Sequence, residues 1–158
     1  MEPQTTNQNK KLTENVHFAM SQGYMTYFVL FLFGVFLDIF FHFKFFPTAF
    51  AEPAGITLLV LATVGILWAQ NTSKKLNTVN VTKETFCQGP YCYTRTPTHW
   101  GLFFLVLGFG ILVNAFFVVV TTIVSFIVSK FIFLRRGEAI LAKKYGTPYL
   151  EYKKQVKL

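Results

Sequence analysis

Apolar and polar positions alternate along this chain in long blocks rather than at short period. Residues 1–23 are rich in Gln, Asn and Thr and read as loose, with at most a short helix near a membrane. An apolar block follows, about Tyr24 to Phe46, and Pro47 closes it. Pro53 opens the next block, residues 54–70, which at about 17 residues is close to the lower limit for a membrane span. Trp68 stands where an interfacial aromatic belongs. Residues 71–100 are polar, with a brief alternation at Thr78–Thr82. Residues 102–134 are apolar almost throughout. As one helix that run would be about 50 Å long, against a hydrocarbon core of roughly 30 Å. It therefore predicts a hairpin of two helices, about 101–114 and 115–134, with the turn at Asn114, the strongly polar residue near its middle. The pattern predicts an all-α polytopic membrane protein: a polar segment 1–23, one membrane domain 24–158 with four spans, and a tail 135–158.

Composition agrees. The 158 residues are 53% hydrophobic and 18% aromatic, with twenty phenylalanines and only 14% charged residues. That excludes an ordinary soluble globule. Residues 1–23 lack the basic-then-apolar start and cleavage site of a secretory signal, so the first apolar block is expected to stay as a span. The net charge of +8 is informative through its placement. Lys74, Lys75, Lys83 and Arg95 lie in the 71–100 loop, and Arg135, Arg136, Lys143, Lys144, Lys153, Lys154 and Lys157 in the tail. The other side offers little beyond Glu52. The positive-inside rule places both termini and the long loop in the cytosol, of a bacterial inner membrane or an endoplasmic reticulum. The glycosylation patterns at Asn71 and Asn80 are then expected to go unused. The basic tail suits anionic membrane lipids better than nucleic acid. Cys87 and Cys92 could pair, but in a cytosolic loop they are expected to remain thiols. Two cysteines and the scattered His17, His42 and His99 make no metal constellation.

Three places carry candidate chemistry. Asp38 and His42 are four apart on one face of the first span, and ionisable groups in a span are functional candidates, although these lie in its last turns, where His42 and Lys44 can snorkel. In the stretch from Gly89 to Gly101, Gly89-Pro90 signals a turn, and Thr96-Pro97 reads as an N-cap with proline at the first helical position. A helix start there offers unpaired N–H groups to an anion. In the tail, Phe131, Leu134, Glu138, Leu141, Ala142 and Tyr145 share a helical face, with Arg136, Lys143 and Lys144 opposite. Glu138 thus sits in the apolar stripe and needs partners inside; the alternative is a surface pair with Arg135. Gly146 and Pro148 end the helix, and Tyr149 and Tyr152 read as anchors at the headgroup level. The 89–101 stretch and the Glu138 face converge beside the hairpin. They could roof a pocket open to cytosol on one side and lipid on the other, suited to a soluble cofactor meeting a lipid-soluble substrate.

At these residues the chain resembles the integral-membrane methyltransferases of the isoprenylcysteine carboxyl methyltransferase and phospholipid methyltransferase group. Their first signature reads roughly Gly-Pro-Tyr-Arg-Tyr-x-Arg-His-Pro-x-Tyr-x-Gly, and Gly89, Pro90, Tyr91, Tyr93, Arg95, Pro97 and Gly101 match it in register. The second reads roughly Glu-Glu-x-x-Leu-x-x-x-Phe-Gly-x-x-Tyr-x-x-Tyr-x-x-x-Val, and Glu138, Leu141, Gly146, Tyr149, Tyr152 and Val156 match, with Tyr145 for the phenylalanine. The resemblance implies S-adenosylmethionine as methyl donor and a lipophilic acceptor: a prenylcysteine carboxylate, a phospholipid amine or a small thiol. It implies Arg95 and Glu138 as catalytic residues. It implies Tyr91, Tyr93, Arg95, Thr96, Pro97, His99, Glu138 and Tyr149 as cofactor-binding residues, with no metal. The chain departs from the signatures at Cys92, Thr96, His99 and Gly137, where the family has a basic residue, histidine, tyrosine and glutamate. Those departures keep open a non-catalytic four-helix protein that retains the fold. A small carrier with Asp38 and His42 in its path is a third reading.

Overall fold

The computed structural model describes residues 3–41, 43–44, 47–75 and 86–156. His42, Phe46, the Thr78–Thr82 alternation and the Asn80 pattern lie outside the described residues. Among the described residues six α-helices follow in order: α1 Pro3–Phe41, α2 Thr48–Lys75, α3 Pro97–Leu112, α4 Phe116–Val128, α5 Arg135–Tyr145 and α6 Thr147–Gln155. A short 3-10 turn, Gly89–Cys92, precedes α3, and a π-helical turn, Ser129–Leu134, joins α4 to α5 without a break. Among the described residues three helical stretches are long and apolar enough to span a membrane, Ser21–Phe41, Ala49–Lys74 and Phe116–Tyr145, and the shorter apolar α3 stands with them. The protein is an all-α polytopic membrane protein.

Boundaries move from the sequence expectation, and the second helix runs on to Lys75, past the expected residue 70. The polar segment 1–23 is helical from Pro3 and continuous with the first span, rather than loose. The second helix starts at Thr48, before Pro53, because the Pro47 carbonyl accepts the N–H groups of Phe50 and Ala51 at 3.1 and 3.2 Å. Pro53 falls early in the helix, where its missing N–H costs one bond.

The chain reverses at Asn114, which takes a left-handed φ of 55°. Asparagine tolerates that region better than most residues, so the turn forms without glycine. The hairpin closes with Ala115 N–H donating to the Gly110 carbonyl at 2.8 Å. The α4 helix then begins against α1: the Asp38 carboxylate accepts Phe117 N–H through Oδ1 at 3.1 Å and Val118 N–H through Oδ2 at 2.9 Å. A helix start inside a bilayer has no water to satisfy its free N–H groups, and Asp38 supplies the acceptors from a neighbouring helix. This accounts for the carboxylate in the first span and removes the support for a carrier path through it.

The bundle is two tight pairs, α2 on α3 and α1 on α4, joined by the α3–α4 hairpin. Small residues set both pairs. A Cβ added at Gly55 would sit 2.8 Å from the backbone of Leu112, so only hydrogen lets α2 and α3 approach this closely. On α4, Thr121, Thr122 and Ser125 are buried, and Thr121 packs against Gly34 of α1. Their hydroxyls are satisfied within their own helix, Thr122 to the Val118 carbonyl at 2.6 Å and Ser125 to the Thr121 carbonyl at 2.7 Å. Phe28, Leu32, Phe36 and Phe40 line an exposed apolar flank of α1 that faces lipid.

Candidate active site

Two segments distant in sequence meet at one end of the bundle. The first comes off the Gly89–Cys92 turn, where Gly89 takes φ 53°, and runs into α3. Thr96 occupies the N-cap position and Pro97 the first turn, as the sequence indicates. The Thr96 hydroxyl makes no capping bond; instead the Thr94 hydroxyl accepts the Thr96 N–H at 3.3 Å.

The second segment is α5 and α6. The π-turn at Ser129–Leu134 inserts an extra residue per turn and rotates what precedes it relative to α5. Phe131 therefore falls outside the apolar stripe and is 54% exposed, while Ser129 turns inward at 1%. After the turn the stripe holds, and Glu138 faces in.

Glu138 is held by two cations. Arg95 Nη1 lies 2.7 Å from Oε1 and Lys153 Nζ 2.8 Å from Oε2. The Arg95 and Glu138 side chains are 17% and 16% exposed, and Lys153 42%. The partner is thus Arg95, 43 residues upstream, and not the neighbouring Arg135. Pairing across segments neutralises a carboxylate that burial would otherwise penalise heavily.

Tyr149 and Tyr152 are not headgroup anchors. They are buried with Val156 in a small core against Phe86, Leu141, Ala142 and Tyr145. Phe86 fills the centre, its ring 5.3, 5.5 and 5.6 Å from those of Tyr145, Tyr149 and Tyr152. The Tyr152 hydroxyl donates to the Tyr91 carbonyl at 2.6 Å and pins the first segment to the second. Burial, reinforced by the Glu138 carboxylate, raises the Tyr149 hydroxyl above its ordinary pKa, and burial pushes Tyr152 up to about 12. Both therefore stay neutral hydroxyls at physiological pH. Cys87 and Cys92 are joined as a disulfide, where the sequence expectation was two thiols. Their Cα atoms lie 4.5 Å apart, inside disulfide range, because the 3-10 turn folds the loop back on itself.

Between these elements lies a cleft lined by Tyr91, Arg95, Thr96, Pro97, His99, Glu138 and Tyr149. Of the residues proposed from sequence, Tyr93 alone is elsewhere: it is 75% exposed and lines a separate apolar groove between α2 and α3 with Trp68, Trp100 and Phe104. The sequence reading missed Gly23 and Tyr24 on α1, Ser129, and the cation Lys153. Ser129 had a signal, since Thr121, Thr122, Ser125 and Ser129 form a hydroxyl stripe at helical spacing in an apolar run. Lys153 was hidden among the tail lysines, and nothing local marks Gly23 or Tyr24.

The cleft holds about 80 Å³ of free volume, room for several waters. Its chemistry is that of a site for a charged, partly aromatic ligand: a guanidinium for a carboxylate, a carboxylate for hydroxyl or ammonium groups, and tyrosine faces for a flat ring or a cation. S-adenosylmethionine offers each of those groups, so the chemistry of the lining residues fits it. A family model described as phospholipid methyltransferase matches residues 50–148, more than half of the chain and including most of this cleft. No curated protein and no solved structure gives a match.

Proposed function

Because the chain belongs to the phospholipid methyltransferase family, we propose that it transfers a methyl group from S-adenosylmethionine to a lipophilic acceptor at the cytosolic face of a membrane. The observation that carries this reading is the Arg95–Glu138 pair, which draws the two signature segments into one cleft at the end of the bundle. When bound, S-adenosylmethionine supplies an activated methyl on a sulfonium, and little covalent work remains for the protein. Holding donor and acceptor in line then provides most of the rate. Arg95 takes the cofactor carboxylate. Glu138 takes its hydroxyl or ammonium groups after exchanging Lys153. Tyr91 and Tyr149 would shape the adenosine side, and Pro97 and the start of α3 would help hold the cofactor's polar groups. The acceptor, a prenylcysteine carboxylate, phospholipid amine or small thiol, arrives from the bilayer. The Lys/Arg-rich tail rests on anionic headgroups, with both termini in the cytosol.

One observation favours a second reading. Where the family carries the first glutamate of its pair, Gly137 leaves open space, with nothing within 4 Å of where a Cβ would be. A site short of a carboxylate suits a protein that kept the fold and lost the chemistry. Calorimetry of S-adenosylmethionine on the detergent-purified protein, with Glu138→Gln as control, decides between them. Binding abolished by Glu138→Gln supports the methyltransferase; a folded wild-type protein that binds nothing supports the non-catalytic reading.

A further inference from the structure

The membrane-ward end of the cleft is polar in a way the ion-paired end does not explain. His99 is 7% exposed and lines the cleft, and its Nε2 has no hydrogen-bond partner. The ring is fixed: it stacks on Phe126 at 5.0 Å and bonds to the Phe126 backbone. With that bond donated from the other ring nitrogen, Nε2 is left as a buried, unpaired lone pair. Tyr27, from α1, is 3% exposed, sets its ring edge-on to His99 at 5.4 Å, and its hydroxyl also lacks a partner. Buried polar atoms go unpaired rarely, since each costs about 1–3 kcal/mol. Two from different helices, packed ring against ring where His99 meets the cleft, mark a place where something else supplies the bonds.

We propose that His99 and Tyr27 form the acceptor subsite, and that His99 Nε2 takes the proton that the methyl acceptor sheds. This rests on the methyltransferase reading and moves His99 from the cofactor's side to the acceptor's. The step balances. The acceptor lone pair forms the bond to the methyl carbon, the pair of the broken carbon–sulfur bond stays on sulfur, and the acceptor proton moves to Nε2. The Tyr27 hydroxyl is the acceptor's second polar partner. A lone pair beside a hydroxyl suits a nucleophile bearing N–H or S–H. It does not suit a carboxylate, which has no proton to give and would face Nε2 lone pair to lone pair. The subsite therefore selects a protic nucleophile from the acceptors left open above.

Two measurements test this. Calorimetry first compares S-adenosylmethionine binding to wild type, His99→Gln and Tyr27→Phe. Both variants are expected to bind within about threefold of wild type, whereas Glu138→Gln is not. Absence of binding to folded wild type sinks the cofactor reading and this proposal with it. Binding by wild type that His99→Gln loses as Glu138→Gln does overturns the proposal alone, making His99 a cofactor ligand. ¹⁵N-histidine NMR then follows the protein saturated with S-adenosylhomocysteine, with His99→Gln giving the assignment. Dodecylamine or dodecanethiol is expected to move the His99 Nε2 resonance and dodecanoate to leave it, with the movement reduced in Tyr27→Phe. A resonance unmoved by amine and thiol, or moved equally by dodecanoate, overturns it. For a probe that is methylated, His99→Gln is expected to lower kcat by about 100-fold or more.

Discussion

The bundle holds a half-buried carboxylate at each end, and the two are satisfied by different means. Asp38 accepts two backbone N–H groups of α4 and leaves nothing to exchange. Glu138 is held by two side-chain cations, one of them 42% exposed. Backbone donors at a helix start cannot move without unwinding the helix, so Asp38 is a structural clasp on the hairpin. Side-chain cations can swing away, so Glu138 can trade partners with a ligand. An acidic residue in an apolar helix is equally unusual in both places; its partners, not its burial, separate scaffold from site.

The sharpest way to break this contrast is to remove each carboxylate and read stability and binding separately. Asp38→Ala leaves two α4 N–H groups unpaired in the bilayer and is expected to cost about 3 kcal/mol, at roughly 1.5 kcal/mol per charge-assisted bond. Thermal unfolding in detergent would show it, and S-adenosylmethionine affinity of the protein that stays folded would not change. Glu138→Gln reverses the pattern. It keeps the shape and one acceptor oxygen, so stability stays within about 1 kcal/mol, while affinity falls at least tenfold, about 1.4 kcal/mol. A large affinity loss in Asp38→Ala with intact stability would erase the distinction.

Lys153 sharpens the same point at smaller size. If it latches Glu138 before the cofactor binds, Lys153→Met frees the carboxylate and raises S-adenosylmethionine affinity by up to about fivefold, in keeping with about 1 kcal/mol for a half-exposed pair. A fall instead would make Lys153 a ligand in its own right. Calorimetry reads both outcomes.

The sequence exposed these two ends unequally. The four apolar blocks, the Asn114 turn and the inward Glu138 follow from hydrophobic length and helical spacing, which depend on local order alone. Arg95 and Glu138 were each marked by position, yet no spacing rule could pair residues on opposite sides of a hairpin. Asp38 was visible as an anomaly but not as a clasp, because its partners are backbone groups of α4, which every residue carries. Tyr149 and Tyr152 were misjudged as headgroup anchors because amphipathic tyrosines look alike on a membrane and in a small core. What buried them was Phe86, contributed by a polar loop.

The smallest expected effect tests that small core, the hinge between scaffold and site. Tyr152→Phe deletes the bond to the Tyr91 carbonyl and keeps the ring, for an expected loss of about 1 kcal/mol and a modest fall in cofactor affinity as Tyr91 loosens. Its pH dependence reports the burial of the hydroxyl. The folded hydroxyl is raised to about 12 from an unfolded value of 10.0, so the neutral form is favoured in the fold. That contribution is whole below pH 10 and is lost as pH rises towards 12, where ionisation breaks the bond it donates. Wild type is therefore expected to lose stability along this limb faster than Tyr152→Phe, the two unfolding curves converging as pH rises. Parallel curves would mean that the fold does not hold the Tyr152 hydroxyl neutral. The first segment would then be held to the second by Phe86 and the Arg95–Glu138 pair, and the site would share its fastening with its chemistry.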